Sequence, residues 1–265
     1  MAEGLSHPAY GRLRRVTDSA SVLLADNPGL MTLEGTNTWV LSAAGSDEVV
    51  IVDPGPEDAE HVQRVAEVGR IALGLISHRH TDHTGGIDQI VELTGAPVRS
   101  VGSGFLRGLG GYLTDGEVID AAGLRIKVMA TPGHTADSVS FVLDDAVLTA
   151  DTVLGRGTTV IDNEDGSLAA YLESLRRLRG LGPRVVLPGH GPDLRDLEAV
   201  ADMYLAHREE RLEQVRGALR DLGDDATARQ IVEHVYTDVD ETLWDAAEWS
   251  VQAQLNYLRS RGTVN

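Results

Sequence analysis

The stretch ISHRHTDHTGG, residues 76–86, places His78, His80, Asp82 and His83 within a few positions of one another. Residues two apart on an extended backbone point to the same side. His78 and His80 therefore face one way as the chain leaves a strand, and two imidazoles side by side can hold one metal ion. Asp82 continues the series, and the turn can direct its neighbour His83 elsewhere, so the cluster has the makings of two adjacent sites. Two protein ligands hold a metal weakly, whereas zinc usually takes three or four. Further ligands must come from other parts of the chain, and three motifs offer them: His134 in TPGHT, Asp151 in LTADT and His190 in LPGHG. Each follows an apolar strand and sits in a turn, and sites in α/β sheets collect at one edge of the strands. His7, His61, His207 and His234 fit no ligand pattern; His61 and His207 are expected on exposed helical faces.

The elements that must carry these residues are legible from periodicity. SVLLA, NTWVLSA and EVVIVDPG are β-rich runs bounded by Gly, Asn, Asp and Pro. PEDAEHVQRVAEV has helical spacing, with Val62, Val65, Ala66 and Val68 on one side and Pro56 suited to the first turn. IALGLIS is an apolar run of the buried-strand type, and GGIDQIVELTG reads as a short helix closed by Gly95. The segments PVRSVG, EVID, LRIKVMATPGH, SVSFVL and AVLTAD are closely spaced strands. SLAAYLESLRRLRGL is an amphipathic helix through Leu168, Tyr171, Leu172, Leu175 and Leu178, with Ser167 as its N-cap; its RRLR (176–179) reads as a solvated face. RVVLPGHG is one more strand. From about residue 196 the pattern turns helical: a long helix ending at Gly223, TARQIVEHVYT with Thr227 as N-cap, and DETLWDAAEWSVQAQLNYLRSRG. Only GTVN could add a strand after these.

H-x-H-x-D-H, the histidine of TPGHT, the aspartate of LTAD and the histidine of LPGH, together with VDPG at 52–55, resemble the metallo-β-lactamase superfamily. The resemblance implies an α/β fold, the αββα sandwich, with the site between its two sheets. It implies that His78, His80 and His134 hold one divalent ion, that Asp82, His83 and His190 hold a second, and that Asp151 bridges both. Two metals about 3.5–4 Å apart lower the pKa of a bridging water toward neutrality, and the hydroxide attacks an ester, amide or phosphodiester while a metal stabilises the oxyanion. Asp82 would orient the hydroxide and accept its proton, and Asp53 would fix a ligand loop by hydrogen bonds, although Asp-Pro-Gly is also simply a good turn. GTNTWV (35–40) is similar to a segment near the site in relatives, which makes Asn37 a substrate-contact candidate; Asn37 and Thr38 also suit a hairpin turn. Histidine and carboxylate donors suit zinc, and iron or manganese as well.

ADTVLGRGTTV, PGHGP and AHREERLEQV are similar to the β-lactamase-like-protein-2 subfamily. That likeness implies a catalytic domain over 1–195 and a small helical, winged-helix-like domain over 196–265, and it places Thr158 and Thr159 at the substrate entrance. Its animal member cleaves single-stranded RNA, so an endoribonuclease is the first functional expectation. A glyoxalase-II-like hydrolase of a small ester, thioester or lactone is the second, although no Arg/Lys cluster suited to glutathione stands out. The chain contains no Cys, which excludes lactamases with a cysteine ligand. The interval from Asp151 to His190 holds one helix and one strand, which excludes nucleases with a large insertion there.

Composition bounds the rest. The 265 residues are 42% apolar and 24% charged, and the formal net charge is -18. A strongly acidic chain repels polyanions at long range. Beyond residue 200, seven Arg face thirteen Asp or Glu, where a winged helix that grips phosphates is normally basic. Trp244 and Trp249 are expected in the core. No apolar run reaches the ~20 residues of a membrane helix, and the first residues lack the apolar stretch of a secretory signal. A cytoplasmic protein with a plausible homodimer contact is the expectation.

Overall fold

The fold comes from a computed structural model, which describes residues 9–237 and 240–262; His7 and the end of GTVN lie outside the described residues. Two short strands, β1 (Arg14–Arg15) and β2 (Ala20–Leu24), lead into β3 (Asn37–Leu41) and β4 (Glu48–Val52). Helix α1 (Ala59–Ala66) then crosses to β5 (Arg70–Leu75), and the short α2 (Thr81–Thr84) and α3 (Ile87–Thr94) cross to β6 (Val98–Arg99). These strands form one sheet in the order β1-β2-β3-β4-β5-β6, antiparallel up to β4 and parallel from β4 to β6. A second sheet follows from β7 (Val118–Ala121), β8 (Leu124–Ala130), β9 (Val139–Val142) and β10 (Ala146–Ala150). Helix α4 (Leu168–Arg179) returns the chain to β11 (Val185–Pro188), giving the order β11-β10-β9-β8-β7 with only β10 and β11 parallel. Three helices complete the chain: α5 (Leu197–Leu222), α6 (Ala228–Val235) and α7 (Trp244–Ser260).

Alternation along the strands explains the layering. Val50 and Val52 of β4 and Trp39 and Leu41 of β3 point inward, where they meet Ile126 and Val128 of β8, Phe141 of β9 and Leu148 of β10. The intervening Val49, Ile51 and Val40 point outward onto Val62, Val65 and Ile90 of α1 and α3. On the far face, Met129, Val142, Val147 and Val186 pack under α4 and α5. The result is helix, sheet, sheet, helix, the αββα sandwich of the resemblance, with apolar burial on both faces of each sheet. The outer cluster runs on without a break into Ile231, Val232, Val251, Leu255 and Leu258, so the C-terminal helices share a core with the second sheet. Among the described residues no strand follows α5.

Some local expectations need correction. Pro56 is not in the first turn of α1, because Asp58 caps the helix by accepting from the Glu60 and His61 amides. Asn37 and Thr38 form no turn; they begin β3 and are buried. His61 is 2% exposed rather than solvated: its Nε2 lies 2.9 Å from Thr38 Oγ1 and its ring packs on Gly55. Burial of that ring lowers its pKa to about 4, with Asp58 opposing and Arg64 adding to the shift. His207 is half-buried, Trp244 is half-buried against the outer cluster, and Trp249 is 42% exposed. Arg177 is no free solvated group, since it holds Ala130 O and Asp115.

Candidate metal centre

Every candidate ligand lies just past the end of a strand, at one edge of the sandwich. β5 delivers His78 and His80, and α2 turns Asp82 and His83 back toward them. The turns after β8 and β11 carry His134 and His190, and Asp151 directly follows β10. Two non-glycine residues here adopt positive φ, Asp53 at 56° and Ala150 at 44°. Such strain persists where the surroundings enforce it, as at built sites. Gly189 is forced by contact: a Cβ there would sit 2.2 Å from Asp151 Oδ1.

The structure brings the seven side chains together in two sets that share a border. His78, His80, His134 and Asp151 have ligand-type atoms within 4.8 Å of one another, as do Asp82, His83 and His190. Asp151 lies between the sets: Oδ2 is 3.7 Å from His134 Nε2 and 3.2 Å from His190 Nε2, while Oδ1 is 3.5 Å from His83 Nε2. A third grouping, Asp53 with His78 and His83, also satisfies the distance. The Asp53 carboxylate is already committed, however, accepting from the Ser77 amide at 2.8 Å, Ser77 Oγ at 2.6 Å and His83 Nδ1 at 2.8 Å. Asp53 thus orients the ring rather than offering a lone pair to a cation.

Each of the five imidazoles has one nitrogen occupied by the protein and one turned inward, with tautomers assigned from the hydrogen-bond network. His78 Nδ1 donates to Ser77 Oγ, which itself donates to Asp53. His80 Nε2 donates to Asp162 at 2.8 Å. His134 Nδ1 donates to Val160 O at 2.7 Å, and His190 Nδ1 to Gly35 O at 3.1 Å. The inward nitrogens crowd one another: His78 Nε2 is 3.0 Å and His134 Nε2 3.1 Å from His80 Nδ1, and His83 Nε2 is 3.3 Å from His190 Nε2. Lone pairs facing lone pairs, as among His78, His80 and His134, are costly unless a cation sits among them. Asp151 Oδ1 is also buried with no hydrogen bond. The donor set fits divalent metal on both counts.

The charge balance points the same way. Burial raises the Asp151 carboxyl pKa, but His190 and His83 more than offset this and hold it well below the usual range. Burial likewise opposes ionisation of Asp82, yet His83 and His190 hold it at about 2. Burial works against protonation of His190, which Asp151 and Asp82 nevertheless lift to about 9; Asp151, Asp82 and Asp53 lift His83 well above its ordinary value against the same penalty. Burial drives His78 and His134 down. Protons on two rings thus balance the carboxylates where cations would.

Over this floor lies a cleft of about 240 Å³, bordered by Leu30, Met31, Leu33, Leu154, Arg156 and Thr158. It continues into a groove of about 410 Å³ edged by Trp249 and Glu164. Arg156 at the rim is paired with Glu34, and Arg79 with Asp162, Glu164 and Asp165. Thr159 also borders the cleft but is 2% exposed, its hydroxyl donated to Asp151 O at 2.7 Å. Asn37 does not border it. The Asn37 amide donates to Pro188 O and Gly191 O, pinning the His190 turn to β3, and it faces a separate groove that contains no histidine. Ser77 and Asp162 were missed from sequence. Ser77 precedes His78 and had a positional cue, whereas Asp162 is one acid of IDNED with none.

Residues 31–190 match the family described as Metallo-beta-lactamase superfamily, and residues 227–265 match the Beta-lactamase associated winged helix domain. A Beta-lactamase-like protein 2 homolog of Caenorhabditis elegans is 30% identical over 266 residues, covering 95% of this chain and 88% of that one. An Atrochrysone carboxyl ACP thioesterase of Aspergillus fumigatus is 33% identical over 211 residues, 76% of this chain. The chain spans 64% of the length of that fungal relative. A crystal structure of a beta-lactamase domain protein from Burkholderia ambifaria superposes with a TM-score of 0.81 at 22% identity, over 97% of this chain and 90% of that one.

Proposed function

The chain belongs to the metallo-beta-lactamase superfamily and is a metal-dependent hydrolase, and from that premise we propose that it cleaves an ester or thioester with an apolar acyl group at a dinuclear site. His78, His80 and His134 would hold one divalent cation, Asp82, His83 and His190 the other, with Asp151 shared. Zinc suits this donor set, as do iron and manganese. Two bound cations lower the pKa of water toward neutrality and neutralise charge that builds on the attacked oxygen.

The chain's own residues supply the rest. Asp82 is the least buried of the two sets' carboxylates, with Thr36 Oγ1 donating to it at 3.2 Å, so it can turn one oxygen to the attacking water and take its proton. Leu30, Met31, Leu33 and Leu154 give the cleft an apolar wall that displaces water from a bound acyl chain. Asp162 and Asp53 keep the inward nitrogens of His80 and His83 aimed.

The observation that carries the acyl reading is the charge of the cleft. Its wall is apolar and both rim arginines are already ion-paired, on a chain of net charge -18. A polyanion would find no free guanidinium there, and phosphate neutralisation supplies most of the affinity for nucleic acid. The fungal thioesterase relative supports the same class. One observation favours the second reading, an endoribonuclease of single-stranded RNA: the exposed Trp249 edges the groove, where a base could stack. Metal-loaded protein assayed on aryl esters, acyl thioesters and single-stranded RNA separates the two. The acyl reading expects turnover of the first two that vanishes in His80→Ala; RNA cleavage with no thioesterase activity would reverse the assignment.

A further inference from the structure

A second cavity, of about 150 Å³, lies behind the wall of the metal cleft and is bordered by Thr158, His207, Arg208, Arg211, Tyr236 and Ser250. Residues 158–160 border both spaces. Among the described residues no carboxylate borders this cavity, although the chain carries 41 acidic residues against 23 basic ones. Arg208 is 3% exposed, donates one Nη to Thr159 O and stacks 5.0 Å from the Tyr171 ring, and its Nε has no partner. Arg211 donates to His207 Nε2 at 3.3 Å and to Gln214, and lies 4.8 Å from the Tyr236 ring. With Nε2 accepting, His207 carries its proton on Nδ1, which is buried without a partner. Among the described residues neither arginine forms an ion pair, while Arg216 and Arg220 on the same helix both pair with glutamates.

A buried guanidinium without a counter-charge is costly, and a guanidinium fork is shaped for carboxylate or phosphate oxygens. We propose that this cavity is an oxyanion subsite that takes a carboxylate or phosphate group of the substrate, with the wall 158–160 setting the distance to the bond cleaved in the metal cleft. The assignment of the anion to the substrate rests on the acyl-hydrolase reading; the subsite itself does not. Ala246, Ala247 and Ser250 of α7 border the cavity and Trp249 the adjoining groove, so the appended helices would read the acidic end of the substrate.

The test uses metal-loaded protein and inorganic phosphate as probe. Arg211→Gln changes a half-buried residue, and Arg208→Lys keeps the charge but loses the fork. At matched metal content any phosphate held by the metals is common to all three proteins. Wild type should bind phosphate about tenfold more tightly than either variant, as expected for a lost charge-assisted pair. Identical phosphate affinities in all three would overturn the subsite. A pair of thioesters differing only in a terminal carboxylate then tests its source. A preference in kcat/KM for the acid-tailed member, lost in Arg211→Gln, assigns the group to the substrate. Arg211-dependent phosphate binding without that preference overturns the substrate assignment. Turnover of neither thioester, with phosphate binding intact, defeats the acyl reading and leaves the subsite standing.

Discussion

Asp162 gives the sharpest test of how the site is held. Its carboxylate, 14% exposed, accepts from His80 Nε2 at 2.8 Å and from Arg79 Nη2 at 2.8 Å. Burial pushes the Asp162 pKa up, but the His80 hydrogen bond, the Glu164 amide and Arg79 pull it below the usual range, so it is ionised at neutral pH. Asp162→Ala frees the His80 ring to rotate and removes the charge that makes its inward Nδ1 a better donor to metal. Partners of this kind are worth about 10–100-fold in metal affinity, or about 1.4–2.7 kcal/mol. Asp162→Asn keeps an acceptor for Nε2 without the charge and should fall between wild type and Ala. Ala also releases Arg79, so Arg79→Gln is the control: it breaks the same ion pair but leaves the His80 bond, and should cost about twofold or less. Competition against a chromophoric chelator measures all four affinities. If Asp162→Ala binds within about twofold of wild type, or if Arg79→Gln matches it, orientation of His80 is not what the residue does.

Three further outcomes follow from the same geometry. His61 is held neutral in the fold with a pKa of about 4 against 6.5 when unfolded, so its contribution is complete above pH 6.5 and is lost as pH falls toward 4, by about 3 kcal/mol in all. Urea midpoints followed from pH 7 to 4 should therefore drop less steeply for His61→Gln, and parallel curves would contradict the burial argument. Metal must displace protons from His190, whose pKa is about 9, and from the similarly raised His83; calorimetry at pH 7 in buffers of different ionisation enthalpy should report about two protons released, with affinity climbing as pH rises. Buffer-independent heats would count against it. In Gly189→Ala the new Cβ, 2.2 Å from Asp151 Oδ1 and 2.9 Å from His83 Cε1, should cost about 100-fold or more in metal affinity by displacing a shared ligand, read as metal content after dialysis with the unfolding temperature as fold control.

Much of this site was legible because strand ends advertise themselves. An apolar run followed by His, Asp or Pro-Gly-His marks both the strand and the residue it delivers, and all seven candidates converge as that pattern implied. The supporting groups were harder to see. Asp162 comes from an acidic loop with no periodicity and acts only because that loop folds over His80. Backbone acceptors such as Val160 O and Gly35 O carry no residue-type signal at all. His61 and Trp249 were misplaced for opposite reasons. A helical face read in one dimension left His61 exposed, but β3 puts Thr38 against it; Trp249 has the size of a core residue, yet α7 turns it to the groove.

The hydrogen bonds also divide the molecule's tasks. His190 and the Gly189 carbonyl are tied to the start of β3 by Thr36 and Asn37, so the turn from the second sheet is fastened to the first. The ligand edge is therefore a joint between two rigid sheets, and its geometry should vary little. The segments 30–33 and 154–160, by contrast, border the cleft, and Asp162 and the α7 residue Trp249 border the adjoining groove, without belonging to either sheet. Arg208 on α5 holds Thr159 O, and the Thr159 hydroxyl holds the Asp151 backbone. Two hydrogen bonds thus connect the appended helices to the backbone of Asp151. A substitution in α5 can then alter turnover without touching a ligand, by moving the wall at 158–160, and it should do so through KM when the ligand edge itself stays in place.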